Sequence, residues 1–177
     1  MPHRQIVMLM HVPMSIATSK RPMYKKILVP TDGSDIAQAA GAAAVEFARA
    51  CASELFVLSV ARPTYLMPSD ESAMTSDPGF GVEALMRQAD QSVQHIAQLA
   101  RVAGVPCTTL TVLSDSPSDE ILDAVDREQC DLIVMGSHGR HGWRRLLSGS
   151  QTEEVVENAQ VPVMVLRPHC LPPPAPG

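Results

Sequence analysis

The most informative stretch of this chain is DLIVMGSHGRHGWRRLLSGS, residues 131–150. It opens with a short, nearly continuous apolar run at Asp131–Gly136, which is typical of a strand buried on both faces of a parallel sheet. A glycine-rich segment follows and leads directly into a helical pattern predicted over Gly149–Ala159. A strand that passes through a loop into a helix is half of a βαβ unit, so the stretch predicts a sheet covered by helices.

The same alternation of short apolar runs and longer amphipathic patterns continues along the chain. Further strands are predicted at Lys25–Pro30, Glu54–Ala61, Pro106–Leu113 and Val161–Leu166, and further helices at Ser34–Ala52, Val82–Ala103 and Pro117–Glu128. The buried stripes of the first two helices are predicted to be Ile36, Ala40, Ala43, Phe47 and Cys51, and Leu85, Ala89, Val93, Ile96 and Ala100. Five strands separated by four helices predict an α/β fold of the Rossmann-like type, with a single open parallel sheet and helices on both faces.

Local signals mark where several helices begin and end. Ser116 and Pro117 are predicted to be an N-cap residue and the first helical residue, and Gly104 stands where a helix-ending glycine is favoured. The segment Gly79–Ala84 matches a dinucleotide fingerprint, but it does not follow a strand, so we predict a loop entering the second helix. The connection Pro63–Phe80 is long for a compact domain and is expected to be mobile.

Length and composition predict one domain with its own core. The chain has 177 residues, of which 45% are hydrophobic, and a chain of this length buries roughly 70% of its unfolded surface. The expected division is a disordered leader at residues 1–22, a folded domain at 23–168 and a proline-rich disordered tail at 169–177.

Composition also excludes several classes of function. A net charge of −5 disfavours general binding to nucleic acid, and no run of 18 apolar residues is present to cross a membrane. The four cysteines have no CxxC spacing, which argues against a disulfide framework or a zinc site and favours a reducing, cytoplasmic location.

Two loops are expected to form a ligand site, because they follow the carboxyl ends of the first and fourth strands. They are Pro30–Ser34 and Gly136–Ser150. In the second loop, glycines let the main chain approach a ligand, and the amides at the start of the last helix favour a phosphate. Three arginines add positive charge in a stretch without acids. The alternative interpretation is structural: the glycines make turns, the arginines are solvated, and Ser150 caps the helix.

The spacing of glycines in the second loop resembles a family motif. Gly136-x-x-Gly139, nine residues, then Gly149-Ser150 is similar to the G-2x-G-9x-G-S/T motif of the ATP-binding branch of universal stress proteins. MYKKILVPTDGS (23–34), VMGSHGR (134–140), LLSGS (146–150) and VPVMVL (161–166) also resemble that family and occur in its order. The resemblance spans residues 23–167 and implies the strand order 3-2-1-4-5, an adenine nucleotide alpha hydrolase-like form of the fold.

Carried over position by position, the resemblance implies a set of nucleotide-binding residues. The nucleoside side would comprise Pro30, Thr31, Asp32, Val60, Met135 and Gly136, and the rest of the set would be His138, Gly139, Arg140, Gly149, Ser150 and Gln151. Asp32 is expected to contact ribose or a metal ion, and the main chain near Val60 to face adenine. Gly139, Gly149 and Ser150 are expected to hold ribose and phosphates through amides and a hydroxyl.

Two residues depart from the family pattern. Ser59 stands where the family often has histidine, and Gln151 follows Gly-Ser where valine is frequent. Because the main-chain amide of Gln151 remains available, we expect altered packing there, with binding retained.

Other chemistry is not predicted. His138 and His141 have no nearby third ligand for zinc, and neither GxxxxGK[ST] nor GxSxG occurs. No catalytic residue and no metal ligand set is assigned, because rapid phosphoryl transfer needs a positioned nucleophile and a base for water is missing.

These observations favour an ATP-binding stress-response or signalling protein whose hydrolysis is slow or incidental. ADP and AMP are alternative ligands, and Mg²⁺ is expected to accompany the nucleotide. The alternative from another class is a nucleotide-independent interaction protein that acts through dimer or partner surfaces, and an outright ATPase is a third. The resemblance further implies a homodimer through the last strand, Val161–Leu166.

Overall fold

The computed structural model describes residues 23–63, 78–137 and 151–167. The elements are β1 (Lys26–Pro30), α1 (Asp35–Cys51), β2 (Glu54–Ala61), α2 (Pro78–Ala103), β3 (Cys107–Leu113), α3 (Pro117–Glu128), β4 (Leu132–Gly136), α4 (Gln151–Asn158) and β5 (Val163–Leu166). The predicted strands and helices are therefore confirmed within these ranges. Their ends move by one or two residues, with one exception at the start of α2.

All five strands form one parallel sheet in the order β3-β2-β1-β4-β5, as expected. The chain moves outward from β1 through β2 to β3 and then returns to the other side of β1 to form β4. Parallel strands reached in this way need a helical crossover each, and α1 to α4 supply them. The reversal between β1 and β4 is the switch point at which sheets of this kind bind ligands.

The core has two halves, one on each face of the sheet. Alternation along β1 sends Ile27 and Val29 to the side of α1 and α2, whereas Leu28 packs on the side of α3 and α4. These three side chains are fully buried. Burial of an aliphatic side chain of this size contributes about 1.5–3 kcal/mol, so the central strands hold both helical layers in place.

The predicted buried face of α1 is confirmed at Ala40 and wrong at its other four positions. The buried residues are Ala37, Ala40, Gly41, Ala44, Val45 and Ala48, whereas Ala43 is exposed and Ile36, Phe47 and Cys51 are only partly buried. α1 packs against α2 as well as the sheet, and a Cβ at Gly41 would lie 2.6 Å from Ile96 Cγ1. The small residues face inward because the two helices approach closely. In α2 the prediction holds for Ala89, Val93, Ile96 and Ala100, which are buried.

Two helix starts differ from expectation. α2 begins at Pro78, not at Val82, so the main chain of residues 79–81 is helical and not a loop. Proline is favoured in the first helical position, where its missing N–H costs nothing. Ser116 stands at the N-cap of α3, but its side chain makes no capping hydrogen bond. Gly104 does follow the end of α2 with φ +71°, as predicted.

Several predicted features lie outside the described residues. These are the leader at 1–22, the tail at 169–177 and most of the long connection predicted over Pro63–Phe80. Within 23–63, 78–137 and 151–167, no helix has the length and hydropathy needed to span a bilayer.

Candidate functional site

The carboxyl ends of the strands form the edge at which we expect the ligand site. Main-chain hydrogen bonds continue there just past the last strand residues. Thr31 N–H donates to the Leu58 carbonyl at 2.8 Å, and Ser137 N–H donates to the Leu166 carbonyl at 2.8 Å. Thr31 is buried. The pairing of Leu28 with Ile133 places Gly136 level with Thr31 on the neighbouring strand. The two predicted ligand loops therefore leave the sheet side by side.

The turn after β1 is fixed by short polar contacts. Ser34 donates to Asp32 Oδ1 through both its N–H, at 3.0 Å, and its hydroxyl, at 2.6 Å. The Ser34 hydroxyl oxygen in turn accepts from Ala37 N–H at 3.4 Å and caps α1. Gly33 has φ +76°, a conformation that favours glycine. One carboxylate oxygen of Asp32 is thus committed to the helix start, which orients the side chain at this edge.

Gly136 has a packing role that is independent of any ligand. A Cβ at this position would lie 3.0 Å from Ile36 Cγ1 and 3.1 Å from the Ile36 carbonyl carbon and oxygen. The first turn of α1 therefore packs directly on the end of β4. The turn that carries Asp32 and the end of β4 are held together by this contact.

Met135 and Val60 are present at the site through their main chains. The Met135 side chain is buried in the half of the core that faces α3 and α4, and Val60 packs partly buried against the same cluster. Ser59, at which the family pattern departs, is also buried. Pro30 ends β1 in a buried position. A ligand at this edge would meet main-chain atoms of these strands.

The amino end of α4 reaches the same edge and is tied to two other elements. Gln151 Oε1 accepts from Ser118 N–H, in the first turn of α3, at 2.8 Å. The Thr152 hydroxyl donates to the Gly136 carbonyl at 3.5 Å. Gln151, predicted only for its main-chain amide, therefore also holds two helices together. Nothing in the sequence indicates this contact, because its partners are 33 residues apart.

Five of the twelve predicted site residues lie outside the described ranges: His138, Gly139, Arg140, Gly149 and Ser150. The structure brings together the other seven along β2, β1, β4 and the start of α4. In the part of the chain that the structure describes, no group of three or more His, Cys, Asp and Glu side chains is placed to hold a metal ion.

At the amino end of α4, partial positive charge from the main-chain amides and negative charge from two glutamates lie close together. The main-chain amides at a helix start favour an anion, but Glu153 and Glu154 already lie in the first turn. A phosphate there would need positive charge from elsewhere. The sequence has three arginines before α4, at positions 140, 144 and 145.

An open cavity of about 610 Å³ lies at the amino ends of the strands, between the carboxyl ends of α1 and α2. Its lining includes Lys25, Ser53 and Glu54. Two of these polar groups already have partners: the Ser53 hydroxyl donates to the Tyr24 carbonyl at 2.6 Å, and Glu54 is 3.8 Å from Lys26 Nζ. The cavity does not belong to the predicted ligand site.

Comparison with known proteins agrees with the fold and with the resemblance. The model of the universal stress protein family matches residues 23–167. Universal stress protein MJ0531 of Methanocaldococcus jannaschii is 32% identical over 158 residues, which cover 86% of this chain and 88% of that protein.

Solved structures show the same architecture. The structure of MJ0577, from the same organism, is 30% identical with a TM-score of 0.67, covering 82% of this chain and 96% of the other. A universal stress protein in complex with cAMP covers 81% of this chain and 97% of its own, and one from Archaeoglobus fulgidus in complex with dAMP covers 80% and 97%. Each of these two is 23% identical with a TM-score of 0.56.

Proposed function

The chain belongs to the universal stress protein family, and we propose that it is a member of the ATP-binding branch, a stress-response protein that binds an adenine nucleotide. The observation that carries the proposal is the meeting of three elements at the switch point. The turn with Asp32, the end of β4 at Gly136 and the tethered start of α4 lie along one edge. Sheets of this class bind ligands at that position.

The proposed ligand lies across this edge with its nucleoside toward β1 and β2. Asp32 keeps one oxygen for Ser34, and its carboxylate is the candidate partner of the ribose hydroxyls or of Mg²⁺. The main chains of Val60 and Met135 bound the adenine, since the Met135 side chain is buried in the core. Universal stress proteins of the same fold have been solved with cAMP and with dAMP, which supports an adenine ligand at the level of the fold.

The phosphates are assigned to the loop before α4 and to its first amides. Gly149 and Ser150 precede α4 directly, and Gly139 and Arg140 belong to the same motif. Because Glu153 and Glu154 oppose an anion at the helix start, the arginines are required for tight binding. The affinity for ATP should therefore fall with added salt more than the affinity for adenosine.

The experiment is titration calorimetry of the full chain with ATP and Mg²⁺, comparing Gly149→Val with Gly81→Val. A valine at 149 puts a side chain where phosphate is proposed to bind, and we expect a loss of about tenfold or more in affinity, equal to ~1.4 kcal/mol. Gly81 is the control, because an added Cβ there meets nothing within 4 Å on an exposed part of α2. Unchanged affinity in a folded Gly149→Val protein would refute the phosphate assignment.

We assign binding rather than catalysis to this site. Hydrolysis needs a positioned water and a group to accept its proton. Asp32 is engaged with Ser34, and no other residue has been assigned to that task. Turnover should be slow, and its measurement with purified protein and Mg²⁺ distinguishes a binding module from an ATPase. The cytoplasmic location inferred from the cysteines is part of the same proposal.

A second candidate function rests on the outer edge of β5. Val156 on α4 is 50% exposed and Met164 on β5 is 40% exposed, so apolar groups meet solvent beside an edge strand. Exposed edge strands pair readily with another chain. We infer a homodimer through β5, which would be the functional surface if the nucleotide site were empty in use.

A further inference from the structure

β3 forms the second edge of the sheet, and its sequence does not protect that edge. In the described part of the chain β3 pairs with β2 alone. Its residues, CTTLTVL, include no proline, glycine or charged residue. Natural sheets use proline and charge to protect edges, because the free main-chain groups of an edge strand pair readily with another strand. Thr108 and Leu113 are exposed, so solvent reaches this edge.

The bonds between β2 and β3 show which main-chain groups of β3 point away from the sheet. The Pro106 carbonyl accepts from Leu55 N–H at 2.8 Å, and Ser114 N–H donates to the Ala61 carbonyl at 3.0 Å. Since main-chain groups alternate in direction along a strand, the even-numbered residues of β3 bond to β2 and the odd-numbered residues point outward. The odd-numbered residues are Cys107, Thr109, Thr111 and Leu113.

The outer edge of β3 is complementary to a second copy of itself. In an antiparallel pair, opposed residues whose main-chain groups face each other exchange both hydrogen bonds. When Leu110 lies opposite Leu110 of the second copy, Thr109 lies opposite Thr111, and Cys107 lies opposite Leu113. In this register every outward group of one strand meets an outward group of the other. Threonine opposite threonine is also a favourable cross-strand pair.

The flank of α2 over this edge carries charges of both signs. α2 packs on β2 and β3, and α1 lies on its other flank, where Gln38 Nε2 donates to the Ser92 carbonyl at 3.2 Å. Asp90, Ala97 and Arg101 follow one another at helical spacing, so they share a face that is turned away from Ser92. Asp90 and Arg101 are exposed, and the small Ala97 between them is half-buried.

The strand pairing would bring these charges of two copies together. The chain turns from α2 directly into β3, so the two elements run in opposite directions. Leu110 lies about 10 Å from the start of β3, and the same distance from the end of α2 is about seven helical residues. That point falls midway between Asp90 and Arg101. A two-fold axis at Leu110 therefore sets Arg101 of each copy beside Asp90 of the other.

We propose that a second copy of this chain docks on the β3 edge, in the antiparallel register about Leu110, with the two α2 helices side by side. This contact depends neither on a nucleotide nor on β5. One strand and one helix flank form a small surface, so the contact should need a concentration of about 0.5 mM, above that of the β5 dimer. Because β3 and β5 are the two ends of the sheet, use of both would join dimers into open chains.

The test is disulfide cross-linking of the full chain under mild oxidation at about 0.5 mM. Leu110→Cys sets a thiol opposite its own copy, where opposed Cα atoms are about 4.5 Å apart, within the range of a disulfide. Thr108→Cys is the matched control, because it lies on the same face of β3 but opposes position 112 of the second copy. The parent chain, with its four native cysteines, gives the background. Mass spectrometry of the linked peptides identifies the bond.

Charge reversal on α2 tests the helix contact in the Leu110→Cys chain. Arg101→Glu sets a carboxylate beside Asp90 of the second copy, and Asp90→Arg sets an arginine beside Arg101. The two substitutions together restore opposite charges. Within one chain the two residues are about three helical turns apart, so they do not pair with each other.

We expect Leu110→Cys to form the linked dimer about tenfold faster than Thr108→Cys or the parent. Each single charge reversal should slow the reaction about two- to fivefold, the range for an exposed ion pair, and the double reversal should restore it to within about twofold. Thermal midpoints should stay near the parental one, since every substituted side chain is exposed or half-buried.

Equal rates for Leu110→Cys and Thr108→Cys would overturn the docking of a second copy at this edge. A double reversal that is no faster than the single reversals would overturn the α2 contact. If Leu110→Cys does not fold, a mixture of Thr109→Cys and Thr111→Cys chains replaces it, because these positions oppose each other across the axis. A mixture that links no faster than either chain alone would then refute the proposal.

Discussion

Asp32 serves the start of α1 through contacts of 2.6 and 3.0 Å with Ser34, and the same carboxylate is the one that we propose to contact the nucleotide. If Asp32 only caps α1, variants that lose the acceptor oxygen should lose stability. If Asp32 also binds the ligand, variants that lose the charge should lose affinity. Substitution by alanine removes both the acceptor and the charge. Substitution by asparagine keeps an acceptor oxygen for Ser34 and removes the charge alone.

We expect Asp32→Ala to lower both the free energy of unfolding and the affinity for ATP, the latter by about 1–3 kcal/mol, as for the loss of one polar contact to a charged group. Asp32→Asn should hold the thermal midpoint near that of the parent and still lose affinity. Thermal unfolding and calorimetry on both variants give the answer. A stable Asp32→Asn protein with parental affinity would leave Asp32 with the capping role only.

Cys130 shows how burial affects a single ionisable group. It is 5% exposed, and burial raises the pKa of its thiol from the ordinary 9.0 to about 12, with the charge of Lys26 acting in the opposite direction. The folded chain holds this proton more tightly than the unfolded chain. Its contribution to stability is therefore complete below about pH 9 and is lost as the pH rises from 9 toward 12.

We expect the parent to lose stability more steeply between pH 9 and 11 than Cys130→Ala, which has no thiol to ionise. The two proteins are compared by denaturant unfolding at several pH values, and the slope with pH is the quantity of interest, because the cavity left by the substitution is independent of pH. Parallel slopes would mean that Cys130 ionises equally in the folded and unfolded chain.

At the scale of elements, β5 determines how two copies can meet. The Pro162 carbonyl accepts from Ile133 N–H at 3.0 Å and the Leu166 carbonyl accepts from Ser137 N–H at 2.8 Å. Main-chain groups of alternate residues in a strand point to opposite sides. Val163 and Val165 therefore direct their N–H and C=O groups to the outer edge, whereas the N–H and C=O groups of Met164 point toward β4. Pro162 lacks its donor on the β4 side, so it does not protect the edge.

We expect the parent chain to form a dimer in which the outer edges of β5 pair across a two-fold axis. Val165→Pro removes a donor from that edge without touching the bonds to β4, and it should shift light scattering from dimer to monomer while the thermal midpoint stays close to the parental one. Met164→Pro is the matched contrast, because it should disrupt the pairing with β4 and lower stability. A monomeric parent at tens of micromolar would exclude the dimer.

At the scale of the whole molecule, the buried hydrophobic side chains of the described residues run from Ile27 to Val155. The two halves of this core cover both faces of the sheet. A domain with its own core folds alone. The proposed division into 1–22, 23–168 and 169–177 therefore predicts the behaviour of a truncated chain.

We expect residues 23–168 alone to unfold in one cooperative step, with a thermal midpoint within about 4 °C of the full chain, which corresponds to ~1 kcal/mol for a domain of this size. ATP affinity should be unchanged as well. Differential scanning calorimetry and titration of both chains test this. A large drop in midpoint would assign the leader or the tail to the folded domain.

The alternation of buried strands and amphipathic helices was predictable from the sequence because each pattern reports on the surroundings of its own residues. A run such as Leu132–Met135 is apolar because both of its faces are covered, and the residues of the strand themselves show this requirement. The strand order came from the family resemblance and not from periodicity. Which strand lies beside which depends on crossovers that no local pattern encodes.

The two errors have different causes. The buried face of α1 was predicted on the wrong side because Gly41 packs against Ile96, a residue of another helix. In a helix with this many alanines, several faces have the same apolar pattern. The start of α2 was placed too late because glycines usually interrupt helices, whereas Pro78 begins one here.

The sequence alone determined the fold class, the two loops at the switch point and the family, because these depend on local patterns and on motif spacing. Only the tertiary structure revealed that Gly136 makes room for Ile36 and that Gln151 caps α3 at Ser118. Both contacts join residues far apart in the chain. They arise from how closely packed elements approach one another, a quantity that the spacing of residues along a chain does not contain.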